Sequence, residues 1–217
     1  MKGQAEQSLV MIEAHRGWHQ PRHLPHFDRE RMIQMITYRL ADALPRTVSR
    51  RQVIVGPEAG EHANRERIEQ ALDAGHGSCC LGRPEIAQTV LAAWKAFDEV
   101  RYHLLAWVVM PTHVHVLVTL KPGFPLAGIV QSWKSWTGRR IRTQLSAVSA
   151  WPIGLPIWQR DYWDRFVRDE HHFAAAVAYI HQNPVKAGWC AAPGDWSWSS
   201  AARGSAPGQS RAPKSDL

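Results

Sequence analysis

Two histidines separated by one residue are the strongest chemical signal in this sequence. His113 and His115 lie in residues 106–120, AWVVMPTHVHVLVTL. These residues predict two apolar strands joined by a short Met-Pro-Thr connection. Alternate residues of a strand share a face, so both imidazoles point to one side and the intervening valines to the other. The pair forms two corners of a metal site, or else two half-exposed histidines on a sheet face.

A tyrosine and an asparagine further along the chain supply what such a site lacks. Tyr179 and Asn183 are four residues apart in a segment that predicts a helix, so they lie on one helical face. If that face covers the two histidines, the site holds two imidazoles, an amide oxygen and a phenol. Nitrogen and oxygen ligands with open positions suit Mg²⁺ or Mn²⁺ bound to a phosphodiester. The tyrosine is then placed as a covalent nucleophile.

Each of these residues also has a purely structural interpretation. Asn183 directly precedes Pro184, as a helix N-cap does, and Tyr179 can be a tyrosine at the edge of the core. Tyr162 and Tyr102 are alternative nucleophiles. The first lies in an aromatic strand more typical of packing or base stacking, and the second begins a strand at the end of the sheet expected to be remote from the site.

The surrounding pattern predicts the elements that position these groups. In chain order it predicts a strand (31–40), two helices (64–74 and from Pro84), two strands (102–110 and 113–120), a helix (126–145) and an edge strand (157–167). A last helix follows, with Asp169 as its N-cap. We expect it to end at Asn183, because Pro184 disfavours the helical conformation at the residue before it. This order favours an α+β fold, a ferredoxin-like or RRM-like antiparallel sheet with helices on one face.

Length and composition are those of one globular domain. The 217 residues fit one core, which we place at 21–201, between a flexible arm (1–20) and a disordered basic tail (202–217). No apolar run approaches the roughly 20 residues that span a bilayer, and the start lacks the features of a signal peptide. Three cysteines without a disulfide framework indicate the cytoplasm.

A formal net charge of +7 together with 11 tryptophans favours nucleic acid as the partner. A basic helix face can also simply be solvated, and a tryptophan can fill a core. The predicted nucleic-acid contacts are Arg22, Lys134, Arg139, Arg140, Arg142 and Lys186.

Two motifs in this order, MPTHVHVLV and YIHQNPVKAGW, resemble those of the single-tyrosine histidine–hydrophobic–histidine (HUH) transposases, and more closely the REP-associated tyrosine transposases. The resemblance covers about residues 24–201 and includes LPHFD, ITYRLAD, IVQSWKSWTG, WQRDYWDRFVRDEHHF and WSWSSA. It implies an HUH endonuclease fold in which His113, His115 and Asn183 bind Mg²⁺ or Mn²⁺. It also implies that Tyr179 is the nucleophile.

The implied reaction is cleavage of single-stranded DNA near a palindromic hairpin repeat, by a monomer or homodimer. Cleavage leaves a 5′-phosphotyrosine and a free 3′-hydroxyl, and the reverse step rejoins strands without a nucleotide cofactor. One departure is Thr112, where the family usually has Asn. Thr can also hydrogen-bond at a turn, so we expect little loss, and the position bears on the orientation of His113.

Two other functions fit the same residues. A non-catalytic regulator with this fold would bind hairpin DNA without metal and without cleaving it. A metal-dependent phosphodiesterase would attack with activated water in place of Tyr179.

Overall fold

A four-stranded antiparallel sheet carries the histidine pair. The computed structural model describes residues 17–20, 24–45, 67–147, 151–152 and 154–202. Its strands are β1 (Gly17–His19), β2 (His26–Asp28), β3 (Ile33–Arg39), β4 (Tyr102–Val109), β5 (His113–Leu120) and β6 (Trp163–Phe166). The sheet order is β4-β5-β3-β6, and β1 and β2 form a separate antiparallel pair.

Four α-helices complete the described fold. They are α1 (residues 67–73), α2 (Pro84–Lys95), α3 (Leu126–Ser146) and α4 (Glu170–Lys186). Pro84 begins α2, and Asp169 caps α4 by accepting a 2.7 Å hydrogen bond from the backbone N–H of His172. Both helix starts were predicted, because proline and aspartate favour those positions.

The helices lie on both faces of the sheet. Helices α2 and α3 pack against the β5 valines, as in the predicted core. Helix α4 packs on the opposite face, against Met35, Val108 and Leu117. The α+β antiparallel fold is confirmed, but the expectation of helices on one face is wrong for α4. The reason is that the histidine face also carries apolar side chains, which α4 removes from water.

Helix α4 runs through Pro184 rather than ending at Asn183. Pro184 lacks the N–H that would bond to the carbonyl of Ile180, yet it is buried within the helix. In the last turn, Ala187 N donates to Asn183 O (3.0 Å), and the backbone N–H groups of the next two residues donate to other carbonyls of this turn. Gly188 ends the helix with a φ of +76°. Tertiary burial of this turn outweighs the local preference against helix before proline.

Two other boundaries differ from the sequence prediction. The edge strand is β6 alone and is shorter than the predicted strand at 157–167. Trp158 forms only an isolated bridge with Leu40, and the chain then leaves the sheet until Trp163. At the N-terminus, Gly17–His19 is a strand, whereas the rest of the predicted arm (1–16) and most of the tail (203–217) lie outside the described residues. Among the described helices, none has the length and apolar character needed to cross a bilayer.

The segment after α4 fastens that helix to the sheet edge. Val109 N donates to Trp198 O and Ser200 N donates to Trp107 O, both at 2.9 Å, so the segment covers part of the exposed edge of β4. The Ser200 hydroxyl also lies 2.8 Å from Nε2 of His181 on α4. Because this helix carries Tyr179, the contacts help to fix the tyrosine over the sheet.

Candidate active site

The two histidines of β5 converge on one point. His113 and His115 are each 1% exposed, and their Nε2 atoms are 3.1 Å apart. Two imidazole lone pairs at this distance repel unless a proton or a cation lies between them. Ligand atoms at right angles about 2.1 Å from one octahedral ion lie about 3.0 Å apart. The observed separation therefore fits a shared divalent ion.

A threonine hydroxyl faces the other ring nitrogen of each histidine. Thr112 Oγ1 donates to Leu72 O (3.0 Å) and lies 2.9 Å from Nδ1 of His113, so the hydroxyl accepts the Nδ1 proton. Thr37 Oγ1 lies 2.7 Å from Nδ1 of His115. A proton on each Nδ1 leaves the Nε2 lone pair for a metal. Thr112 therefore contacts His113 even though it replaces the asparagine usual in the resembling family.

The helix face that carries Tyr179 and Asn183 lies over these histidines. Asn183 is 3% exposed, its Nδ2 is 3.3 Å from His115 Nε2, and its Oδ1 has no hydrogen-bond partner among the described residues. A 180° turn of the amide would direct that oxygen at the imidazoles. The Tyr179 ring is 5.1 Å from the His115 ring, at 77° between planes. Asn183 is thus a helix-interior residue at this site and not an N-cap.

The local environment keeps His113 neutral. Burial, reinforced by the charge of nearby Arg39, lowers the pKa of His113 to about 3. The neutral imidazole is the form that binds metals. In the described ranges, no three His, Cys, Asp or Glu side chains are placed so that they could hold a metal ion together. Asn183 brings an amide beside this pair, with its Nδ2 3.3 Å from His115 Nε2.

The two alternative nucleophiles are packed on the opposite side of the sheet. Tyr102 is fully buried, with its hydroxyl donating to Trp94 O and accepting from Trp133 Nε1 (2.9 Å). Tyr162 is stacked on His26 at 4.3 Å, and burial raises the pKa of its phenol. Both tyrosines are accounted for by packing in the core between the sheet and α3.

The five predicted nucleic-acid contacts within the described residues are not gathered at this site. Four of them lie on α3, on the far face of the sheet, and Lys134 donates to Arg160 O (2.7 Å) there, where burial lowers its pKa to about 8. Lys186 is exposed on α4 near Asp73, and Arg22 lies outside the described residues. The other α3 cations are Arg139, Arg140 and Arg142, all exposed. Their role in DNA binding stays a prediction.

Residues 85–183 match the sequence model of a family described as "Transposase IS200 like". Over these residues the chain is similar to IS200-like transposases, which is the class that the paired motifs indicate. Within that class it is similar to the REP-associated tyrosine transposases. It is 33% identical over 99 residues to the REP-associated tyrosine transposase of Escherichia coli (strain K12), an alignment that covers 45% of this chain.

Two further likenesses support the same resemblance. A Haemophilus influenzae protein described as a REP-associated tyrosine transposase is 43% identical over 44 residues, 20% of this chain. A solved structure of a REP-associated tyrosine transposase bound to a REP hairpin has a TM-score of 0.51 at 21% identity, over 80% of this chain and 79% of that one. The resemblance predicted from the motifs is confirmed, and the fold is shared. The chain spans 53% of the length of the E. coli relative and 25% of the length of the H. influenzae relative.

Sequence reasoning missed three residues beside the histidines, namely Thr37, Arg39 and Trp163. Thr37 and Arg39 are the β3 partners of His115 and His113, and Trp163 on β6 is in turn the partner of Thr37. Alternation within residues 33–39 indicates that Thr37 and Arg39 share a face. The pairing register that places them next to the histidines is non-local, so no pattern in this single sequence reveals it.

Proposed function

We propose that this chain is a metal-dependent single-stranded DNA endonuclease and strand transferase that acts at palindromic hairpin repeats. The observation that carries the proposal is the meeting of two convergent imidazoles with a tyrosine and an asparagine from α4. The transposase likenesses support DNA as the substrate, and the relative whose structure contains a REP hairpin supports the hairpin.

In this proposal Tyr179 is the nucleophile. Its phenol oxygen attacks the scissile phosphorus and loses its proton, the bond from phosphorus to the 3′-oxygen breaks, and that oxygen takes up a proton. The products are a 5′-phosphotyrosine and a 3′-hydroxyl. Attack by a 3′-hydroxyl on the phosphotyrosine reverses the step and joins strands, so no nucleotide cofactor is required.

We propose that His113, His115 and Asn183 hold a divalent ion at this site. When bound, Mg²⁺ or Mn²⁺ would polarise the scissile phosphate. The imidazole nitrogens favour Mn²⁺ of the two. The chain's own contribution is orientation, because Thr112 and Thr37 hold the two rings and α4 holds the amide and the phenol.

The nature of the product decides between the three functions. We expect that reaction with a hairpin oligonucleotide and Mn²⁺, followed by protease digestion, yields DNA linked to a peptide containing Tyr179. Cleaved DNA without a linked peptide would instead establish the water-dependent phosphodiesterase. Binding that needs no metal and gives no cleaved strand would establish the regulator.

Replacing Thr112 by Val tests the orientation of His113. The change leaves Leu72 O and the Nδ1–H of His113 without their partner in a buried place. We expect a loss of about 1–3 kcal/mol in the free energy of unfolding. We also expect roughly 10-fold weaker Mn²⁺ binding. Urea unfolding and Mn²⁺ titration measure the two effects.

Two controls separate orientation from stability. Thr112→Ser keeps the hydroxyl and should restore Mn²⁺ affinity. Thr137→Val removes an equally buried hydroxyl that donates to Trp133 O (2.6 Å) and accepts from Trp158 Nε1 (2.8 Å), on the other side of the sheet. It should lower stability and leave Mn²⁺ affinity unchanged. Equal Mn²⁺ affinity in Thr112→Val and the native protein would contradict the orienting role.

A further inference from the structure

Half of the sheet face that carries the histidines is left open by α4. The helix packs mainly on β4 and β5, and it reaches Met35 on β3. The remaining half of that face is formed by β3 and β6, and its outward residues include Arg39, Trp163 and Arg165. The register places Trp163 beside Thr37 and Arg165 beside Met35, so these side chains share the histidine face. Arg165 is exposed, whereas Arg39 and Trp163 are half-buried.

This open half is continuous with the candidate active site. Arg39 is the direct cross-strand partner of His113. Trp163 is one strand further out, beside the Thr37 whose hydroxyl contacts His115. The Arg39 guanidinium carbon is 5.9 Å from the centre of the Trp163 ring. A cation and an aromatic ring therefore stand together within one or two strands of the convergent imidazoles.

The chemistry of this pair matches one nucleotide. A base stacks on an indole whatever its identity, and a guanidinium binds phosphate through two parallel hydrogen bonds. Paired bases in a duplex present their edges and not their faces, so only an unpaired nucleotide can use the indole in this way. The two arginines of the open half are complementary to a strand that carries one charge per phosphate.

We propose that the β3–β6 half of this face binds the single-stranded nucleotide next to the scissile phosphate, with its base stacked on Trp163 and its phosphate on Arg39. The inference rests on the proposed function, since that places the scissile phosphate at the histidines. It adds a positioning site on strands that none of the predicted site residues occupies.

A scan with abasic nucleotides tests the stacking contact. The probe is a hairpin oligonucleotide with single-stranded flanks, taken from palindromic repeats near the gene, in which one flanking base at a time is removed. For the native protein we expect one flanking position where removal weakens binding by about 10-fold. Trp163→Ala should bind the intact strand about as weakly as the native protein binds the strand that lacks this base. Removal of that base should then have no further effect on binding to Trp163→Ala. Trp163→Phe should keep most of the difference.

The protein offers a matched control on the opposite face. Lys95 Nζ is 5.9 Å from the Trp107 ring, the same kind of pair at the same distance. Trp107→Ala should retain the full native abasic profile. Because each comparison is between two DNAs on one variant, a general loss of stability cancels. If removal of each flanking base weakens binding by the same factor in Trp163→Ala as in the native protein, the stacking site is wrong.

Salt dependence tests the phosphate contact. Arg39→Gln should lower the slope of log Kd against log salt by about 0.7, the value for one phosphate of a single strand. Arg39→Lys should keep the slope, and Lys95→Gln should not alter it. An unchanged slope in Arg39→Gln would overturn the contact.

These binding assays also separate the two proposals from each other. If the native protein forms no covalent adduct but binds more weakly when one particular flanking base is removed, the proposed reaction alone is refuted. Adduct formation together with a flat abasic profile would refute the stacking site alone.

Discussion

Tyr179→Phe is expected to abolish the covalent attachment of DNA while leaving hairpin binding nearly unchanged. Phenylalanine keeps the ring that packs 5.1 Å from the His115 ring but lacks the oxygen that would attack phosphorus. We expect the rate of adduct formation to fall by about a thousandfold or more, because no other described tyrosine faces the histidines. In the proposed reaction the fragment downstream of the cut would carry the phosphotyrosine, so the strand is labelled at its 3′ end and the adduct is read on a denaturing gel.

The other tyrosines provide controls for this experiment. Tyr102→Phe removes a buried hydroxyl with two hydrogen-bond partners, so it should lower stability yet leave the adduct in place. Tyr162→Phe keeps the stacking on His26 and should also leave the adduct in place. Undiminished adduct in Tyr179→Phe, or its loss in Tyr162→Phe, would contradict the assignment of the nucleophile.

His113→Ala is expected to have the second largest effect, because it removes a ligand of the proposed metal site. The change removes one of two nitrogens that stand 3.1 Å apart, and the remaining imidazole and amide form a weaker site. We expect Mn²⁺ binding to fall below detection and adduct formation to fall by about a hundredfold or more. Hairpin binding should change little, since the proposed ion would contact a single phosphate. Mn²⁺ titration, the adduct assay and a binding assay report these three quantities.

Chelation and a surface histidine complete the test. Removing divalent ions from the native protein should reproduce the His113→Ala result, and added Mn²⁺ should restore only the native protein. His103→Ala serves as the matched variant, because that side chain is 43% exposed and lies beside Glu99. It should behave as the native protein does. Adduct formation at the native rate after chelation would exclude a metal from the reaction.

Local sequence patterns determined a large part of this protein. The two-residue period of a strand put His113 and His115 on one face, and the helical period put Tyr179 one turn from Asn183. Helix starts at Pro84 and after Asp169 also follow from local preferences, and both are found. These features depend on residues a few positions apart, so one sequence is enough to predict them.

The tertiary structure alone decided which of these faces meet. Helix α4 covers the histidines because the apolar residues of that face require burial, and the same burial carries the helix through Pro184. The register of β3 and β6 brings Arg39 and Trp163 to the site, whereas α3 takes its cations to the far side of the sheet. Register and helix placement arise from contacts between residues distant in the chain, and the short-range patterns of a single sequence do not encode them.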